Sequence, residues 1–179
     1  MLATAYMANG QVEKALQLLE NVVQIRAQTL AEENPDRLSS QDELARAYLA
    51  DGQVKRVVQF LEKMVQIRAR TLAEDHPNRL NSQYVLASAY LADGQVKRAV
   101  QLLENVVQVG ARTLTEDHPN RLISQQVLAV ALWKLGKHNT AVQMMTHVVE
   151  ICQQIFDENH PFRKDSQEWL AMFKNNMPR

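Results

Sequence analysis

The chain has 179 residues, 46% of them apolar, which is enough for a sizeable core but carries no single apolar run approaching the ~18 residues of a membrane span. Lys and Arg total 20 and Asp and Glu total 20, so the formal net charge is zero, and the clustered basic charge needed to hold nucleic acid or an anionic membrane is missing. With only 5 Gly and 5 Pro, and with Ala, Leu, Gln, Glu, Lys and Arg dominant, the composition points away from an all-β fold and toward helices. The single cysteine, Cys152, can neither close an internal disulfide nor build a metal cage by itself. It reads as a buried small apolar residue in a reducing compartment. No signal-peptide pattern opens the chain, so a cytoplasmic location is expected.

Taken in order, the sequence predicts a partial helix over about Leu2–Ala8, closed at Gly10, and then a long second helix. From Pro35 the same phrase begins again. Gly10, Gly52, Gly94 and Gly136 are spaced by 42, as are Pro35, Pro77, Pro119 and Pro161. Leu44, Leu86, Leu128 and Leu170 keep the period with their neighbours Ala45, Ala87, Ala129 and Ala171, and so do Glu32, Glu74, Glu116 and Glu158. The copy starting at His76-Pro77 shows the construction. Pro opens a helix because it has no N–H to lose at the first helical position, and Asp75 or His76 can serve near the N-cap. Leu80, Tyr84, Leu86, Ala87, Tyr90 and Leu91 recur at helical spacing. Gly94 can take the left-handed conformation that ends the helix. A longer helix then carries Val96, Ala99, Val100, Leu103, Val106, Val107, Val109 and Leu114 to about Thr115, before the junction Glu116–Pro119. A helix pair of this kind cannot bury its apolar face alone, whereas stacked antiparallel pairs share a continuous core. The expectation is therefore an all-α fold, an α-solenoid of about nine helices ending with one over about Pro161–Asn175.

The residues that repeat resemble the tetratricopeptide repeat, whose pattern is W-x2-L-G-x2-Y…A-x3-F…P over about 34 residues. Gln83 occupies the Trp place, followed by Leu86, Ala87 and Tyr90, then Ala99 and Leu103, with the closing Pro at Pro119. The eight extra residues amount to roughly two turns added to the second helix at 3.6 residues per turn. This long form is similar to the repeats of kinesin light chains, with their "DHP" junction before a Leu-Ala-x-x-Tyr helix. It looks still more like the C-terminal arrays of fungal signal-transducing NTPases of the NB-ARC or NACHT type, in which "TLAEDHPxRLxSQ", "LAxAYxAxGQVKxAVxLLE" and "VVxIR" recur. The resemblance spans the whole chain. It implies a single repeat domain over 1–179 wound as a right-handed superhelix, with a partial repeat 1–34, repeats 35–76, 77–118 and 119–160, and a capping helix 161–179 ("SQEWLAMFKNN"). The chain departs from the pattern at Gly110, which stands where Arg26 and Arg68 stand, at Leu132 in place of Tyr, at Trp133 in place of Leu91, and at Lys164 in place of Leu.

No catalytic motif is present. His76, His118 and His160 sit at equivalent places in successive repeats, so stacking separates them by roughly 8–10 Å, too far to meet around one zinc ion. They are expected to cap junctions, with no metal and no cofactor. His138 and His147 share no helical face. The triplet Glu74-Asp75-His76 recurs as Glu116-Asp117-His118, and such repetition argues against a unique acid–base site. There is no G-x-S-x-G, H-E-x-x-H, G-x-G-x-x-G or G-x-x-x-x-G-K-[ST], so the chain is expected to be no enzyme and to carry no NTPase of its own. Arg37, Arg79, Arg121 and Arg163, near Glu33, Asp75 and Asp117, are expected to form local salt bridges.

In the resembled fold the first helix of each pair lines a concave groove. Comparing copies within this one sequence picks out the positions that vary. One column reads Ser39, Asn81, Ile123, Asp165; another Asp42, Tyr84, Gln126, Glu168; a third Arg46, Ser88, Val130, Met172; a fourth Met7, Leu49, Leu91, Trp133. These residues are the candidate protein-binding surface. Trp133 either anchors a partner with Ile123 and Val130 or packs under the terminal helix beside Trp169 or Met172. The expected partner is a protein or peptide, with no nucleic acid and no membrane. The alternatives are a kinesin-light-chain-like cargo adaptor and a homodimer formed through apolar surface at the N-terminal end.

Overall fold

The computed structural model describes Tyr6 and residues 9–178, and apart from Tyr6 the expected partial helix over Leu2–Ala8, with Met7, lies outside the described residues. Eight α-helices are present among the described residues: α1 Val12–Thr29, α2 Pro35–Ala50, α3 Val54–Thr71, α4 Pro77–Ala92, α5 Val96–Thr113, α6 Pro119–Lys134, α7 His138–Ile155 and α8 Pro161–Asn175. They form two compact units, α1–α4 up to Asp93 and α5–α8 from Gly94.

Each helix boundary has a local cause. In α2, α4, α6 and α8 a proline occupies the first turn. The side chain before it caps the helix: Asn34 Oδ1 accepts from the Asp36 N–H at 2.9 Å, and Nδ1 of His76 and of His118 accepts from the N–H two residues on at 3.1 Å. The fourth junction differs. His160 makes no capping bond, and its ring stacks on Phe156 at 3.8 Å between centroids. Between the helices of a pair the turn is closed by Gly52, Gly94 and Gly136, with φ of +72°, +76° and +85°, a conformation that costs any residue with a Cβ. The long helices end two residues before the expected Thr115 position. Leu30, Leu72, Leu114 and Phe156 leave the helix in an extended conformation while donating their N–H to the carbonyl four residues back.

Within the first unit each helix packs on the next, and α2 also meets α4. Within the second unit the same holds, with α6 meeting α8. The recurrent small residues explain the closeness: Ala45, Ala87 and Ala129 are fully buried, as are Val57, Ala99 and Ala141 one helix later. Around them lie Leu44, Leu86 and Leu128 and the Leu61, Leu103 and Met145 column. Burying a Leu-sized side chain contributes roughly 1.5–3 kcal/mol, and the repeating word guarantees such burial in every pair. Helix α8 breaks the rule on one face. Lys164 takes the place of Leu38 and Leu122, Lys174 that of Tyr48, Tyr90 and Leu132, and both lysines are exposed along with Ala171.

The repeated arginines do not pair with the junction acids. Arg37, Arg79, Arg121 and Arg163 each donate through Nη1 to the carbonyl seven residues earlier, at Leu30, Leu72, Leu114 and Phe156, over 2.8–3.0 Å. The expectation of salt bridges overlooked a stronger demand. The last carbonyls of a helix have no partner inside it, and a cation there also meets the negative end of the helix dipole.

Candidate protein-binding face

The variable columns fall on α2 and α4 of the first unit and on α6 and α8 of the second. Ser39, Arg46 and Glu168 are exposed, and so is Asp165. Leu49, Asn81, Tyr84, Ser88, Leu91, Ile123, Val130, Trp133 and Met172 are half-buried. Asp42 and Gln126 are buried, and both spend their polar atoms inside the packed helices.

Asp42 is held from two sides. The fully buried Arg68 of α3 donates Nη1 to Asp42 Oδ1 at 2.8 Å, and Asn81 of α4 donates Nδ2 to Oδ2 at 3.1 Å. Arg68 also reaches backbone, Nη1 to the Asn78 carbonyl and Nη2 to the Leu38 carbonyl, both at 2.9 Å, while its buried Nε makes no hydrogen bond. Burial pulls the Arg68 pKa down, and the adjacent Asp42 carboxylate pushes it back up. In the second unit Gln126 donates Nε2 to Asp165 and accepts from the Ser166 hydroxyl at 2.9 Å. Cys152, fully buried, packs with Leu122, Val148 and Ile151. Burial raises its thiol pKa, opposed by Ser166 and Arg163.

Trp133 packs on the terminal helix, as one of the two expectations held, but its neighbour there is Phe173. The rings stack at 4.5 Å with planes 5° apart, Trp169 lies on the other side of Phe173 at 5.9 Å, and His138 meets Trp133 at 4.4 Å. Sequence comparison missed Phe173, although the signal was present: Ala47, Ala89 and Ala131 hold that place in the other copies. Tyr48 was missed too. Its hydroxyl donates to Glu20 at 2.6 Å while Arg56 sits 4.8 Å over its ring and 3.0 Å from Glu20, and Tyr90 repeats the bond to Glu62 at 2.9 Å. Tyr84, half-buried on the variable face, has its pKa raised by burial, with Ser88 opposing.

Among the described residues no group of three or more His, Cys, Asp or Glu is placed to hold a metal ion, and no helix is long and apolar enough to cross a membrane. His147 reaches Glu116 at 3.2 Å.

The tetratricopeptide repeat profile matches residues 1–69 and 85–154. The chain belongs to the tetratricopeptide repeat family. Domains of this family are typically non-catalytic and generally mediate protein–protein interactions. Two crystal structures of a candidate kinesin light chain from Podospora anserina, with nearly identical TPR-like repeats, share 50% identity over 97% of this chain and 82% of theirs, with TM-scores of 0.87 and 0.84. BtubC (BKLC) from P. vanneervenii shares the fold at 19% identity, with a TM-score of 0.84 over 97% of this chain and 69% of that one. No curated protein sequence matches significantly. The repeats are thus kinesin-light-chain-like, and the fold is an all-α tetratricopeptide solenoid with helices stacked in adjacent pairs.

Proposed function

We propose that this tetratricopeptide chain is a non-catalytic scaffold that binds a protein or peptide through the face carried by the first helix of each pair. The carrying observation is the contrast between columns. Leu44, Leu86 and Leu128, like Ala45, Ala87 and Ala129, are constant and buried, whereas Arg46, Ser88, Val130 and Met172 differ in every copy and keep access to solvent. Packing demands the first set and leaves the second free to encode a partner. On this reading residues 35–76, 77–118 and 119–160 are the working repeats of one domain, closed by 161–179. The array serves as the ligand-sensing or regulatory region of a fungal immune-type NTPase receptor. The near word-for-word junction phrases and the 50% identity to a Podospora anserina repeat protein support that setting. The kinesin light chain description of that same relative supports a second reading, a cargo adaptor using the same face.

A pulldown from source-cell extract tests the shared claim. An Arg46→Glu, Ser88→Arg, Val130→Arg variant, verified as folded by circular dichroism, is expected to lose the partners that the parent chain retains. Equal recovery by both forms removes this face as the contact surface. Recovery of a nucleotide-binding domain favours the receptor reading, and recovery of vesicle or motor components favours the adaptor.

A further inference from the structure

The repeats are nearly the same sentence, yet the polar residues at their joints are not. Three equivalent positions mark the joint where one repeat meets the next. In the first unit they are Asp42, Arg68 and Asn81; two periods later, in the second unit, they are Gln126, Cys152 and Asp165. In the first set a carboxylate accepts from a buried guanidinium and from an amide. In the second an amide donates to a carboxylate and accepts from Ser166, and the guanidinium is replaced by a small buried thiol. The donor and acceptor roles along the joint are reversed.

Mixed sets satisfy these groups less well. Asp42 facing an aspartate in place of Asn81 loses its amide donor and meets a second carboxylate, and like charges at hydrogen-bond distance disfavour each other's ionisation. Gln126 facing an asparagine in place of Asp165 exchanges a charge-assisted hydrogen bond for a neutral one, about half as strong. We propose that the two sets are joint keys, each better matched within itself than with the other, by which a repeat favours its own neighbour over another of nearly identical sequence. Leu, Ala, Pro and Gly build interchangeable hairpins, and the keys bias their order.

The test uses the full chain and thermal unfolding followed by circular dichroism. Asn81→Asp alone and Asp42→Gln alone are each expected to lower the midpoint by about 4 °C or more, given the ~2–4 °C per kcal/mol typical of this chain length. The variant carrying Asp42→Gln, Arg68→Cys and Asn81→Asp together installs the second key in the first joint, and is expected to recover at least half of the larger single loss. If it recovers less than half of that loss, or if the single variants melt with the parent, the proposal is wrong. Should a single variant fail to fold, the outcome rests on the triple variant: a folded chain upholds the key, and an unfolded one overturns it.

Discussion

The two units are written in the same words and held together by different chemistry. The first relies on polar ties: two tyrosine–glutamate bonds, at Tyr48–Glu20 and Tyr90–Glu62, and the buried pair Arg68–Asp42. The second has Leu132 where those tyrosines stand, a thiol where the arginine stands, and a stacked Trp133–Phe173 pair at its end. A repeat fold therefore constrains its glycines, prolines and small core residues tightly and leaves its joints open to several solutions of similar quality.

The contrast can be broken unit by unit. The largest losses, about 3–5 kcal/mol each, are expected from Asp42→Ala, which strands a buried guanidinium, and from Phe173→Ala, which opens a cavity beside Trp133. Hydrogen exchange should place the first loss in amides of α2–α4 and the second in those of α6–α8; loss of protection spread evenly over both units would refute the assignment. Replacing the whole pair, Asp42→Leu with Arg68→Met, is expected to stay within about 1 kcal/mol of the parent or to exceed it, because removing both charges also removes their desolvation cost.

Alkaline pH should separate the units again. Burial first, and then the hydrogen bond and charge of Glu20, push Tyr48 from 10.0 up to about 12, with Arg56 pulling the other way. A pKa raised on folding gives stability that is complete below pH 10 and is lost as the pH climbs through about 12. Urea midpoints measured across that window should fall for the parent chain and fall less for Tyr48→Phe, while Leu132→Ala leaves the slope unchanged. The smallest expected effect is a gain. Gly110 lies inside α5 with ordinary backbone dihedrals, and a Cβ there meets only Leu114, at 3.8 Å, so Gly110→Ala should stabilise by about 0.5–1 kcal/mol in urea melts.

Most of the fold was legible because it depends on local, repeated signals. Pro77 starts a helix and Gly94 ends one for reasons contained in the residue itself, and the Leu86–Ala87 pair marks the buried side by period alone. What stayed hidden needed a third dimension. Spacing showed Arg79 close to Asp75, but not that the Leu72 carbonyl would lie within its reach. The variability of Asp42 and Gln126 read as freedom to contact a partner, whereas each varies together with a residue on a neighbouring helix. Phe173 was missed because its meaning comes from Trp133, forty residues earlier, and from its standing where the other copies keep alanine.

The arginine that seals each long helix belongs to the following copy of the sequence, so the self-sufficient building block is shifted relative to the period seen in the text. Cutting the chain just before Pro161 would strip α7 of its closing donor, Arg163, and leave the Phe156 carbonyl to water, whereas a cut a few residues beyond Arg163 would carry the stopper along. Anyone lengthening or shortening this array by whole modules should splice within the first helix of a pair, downstream of its arginine, and not at the proline where the eye divides it.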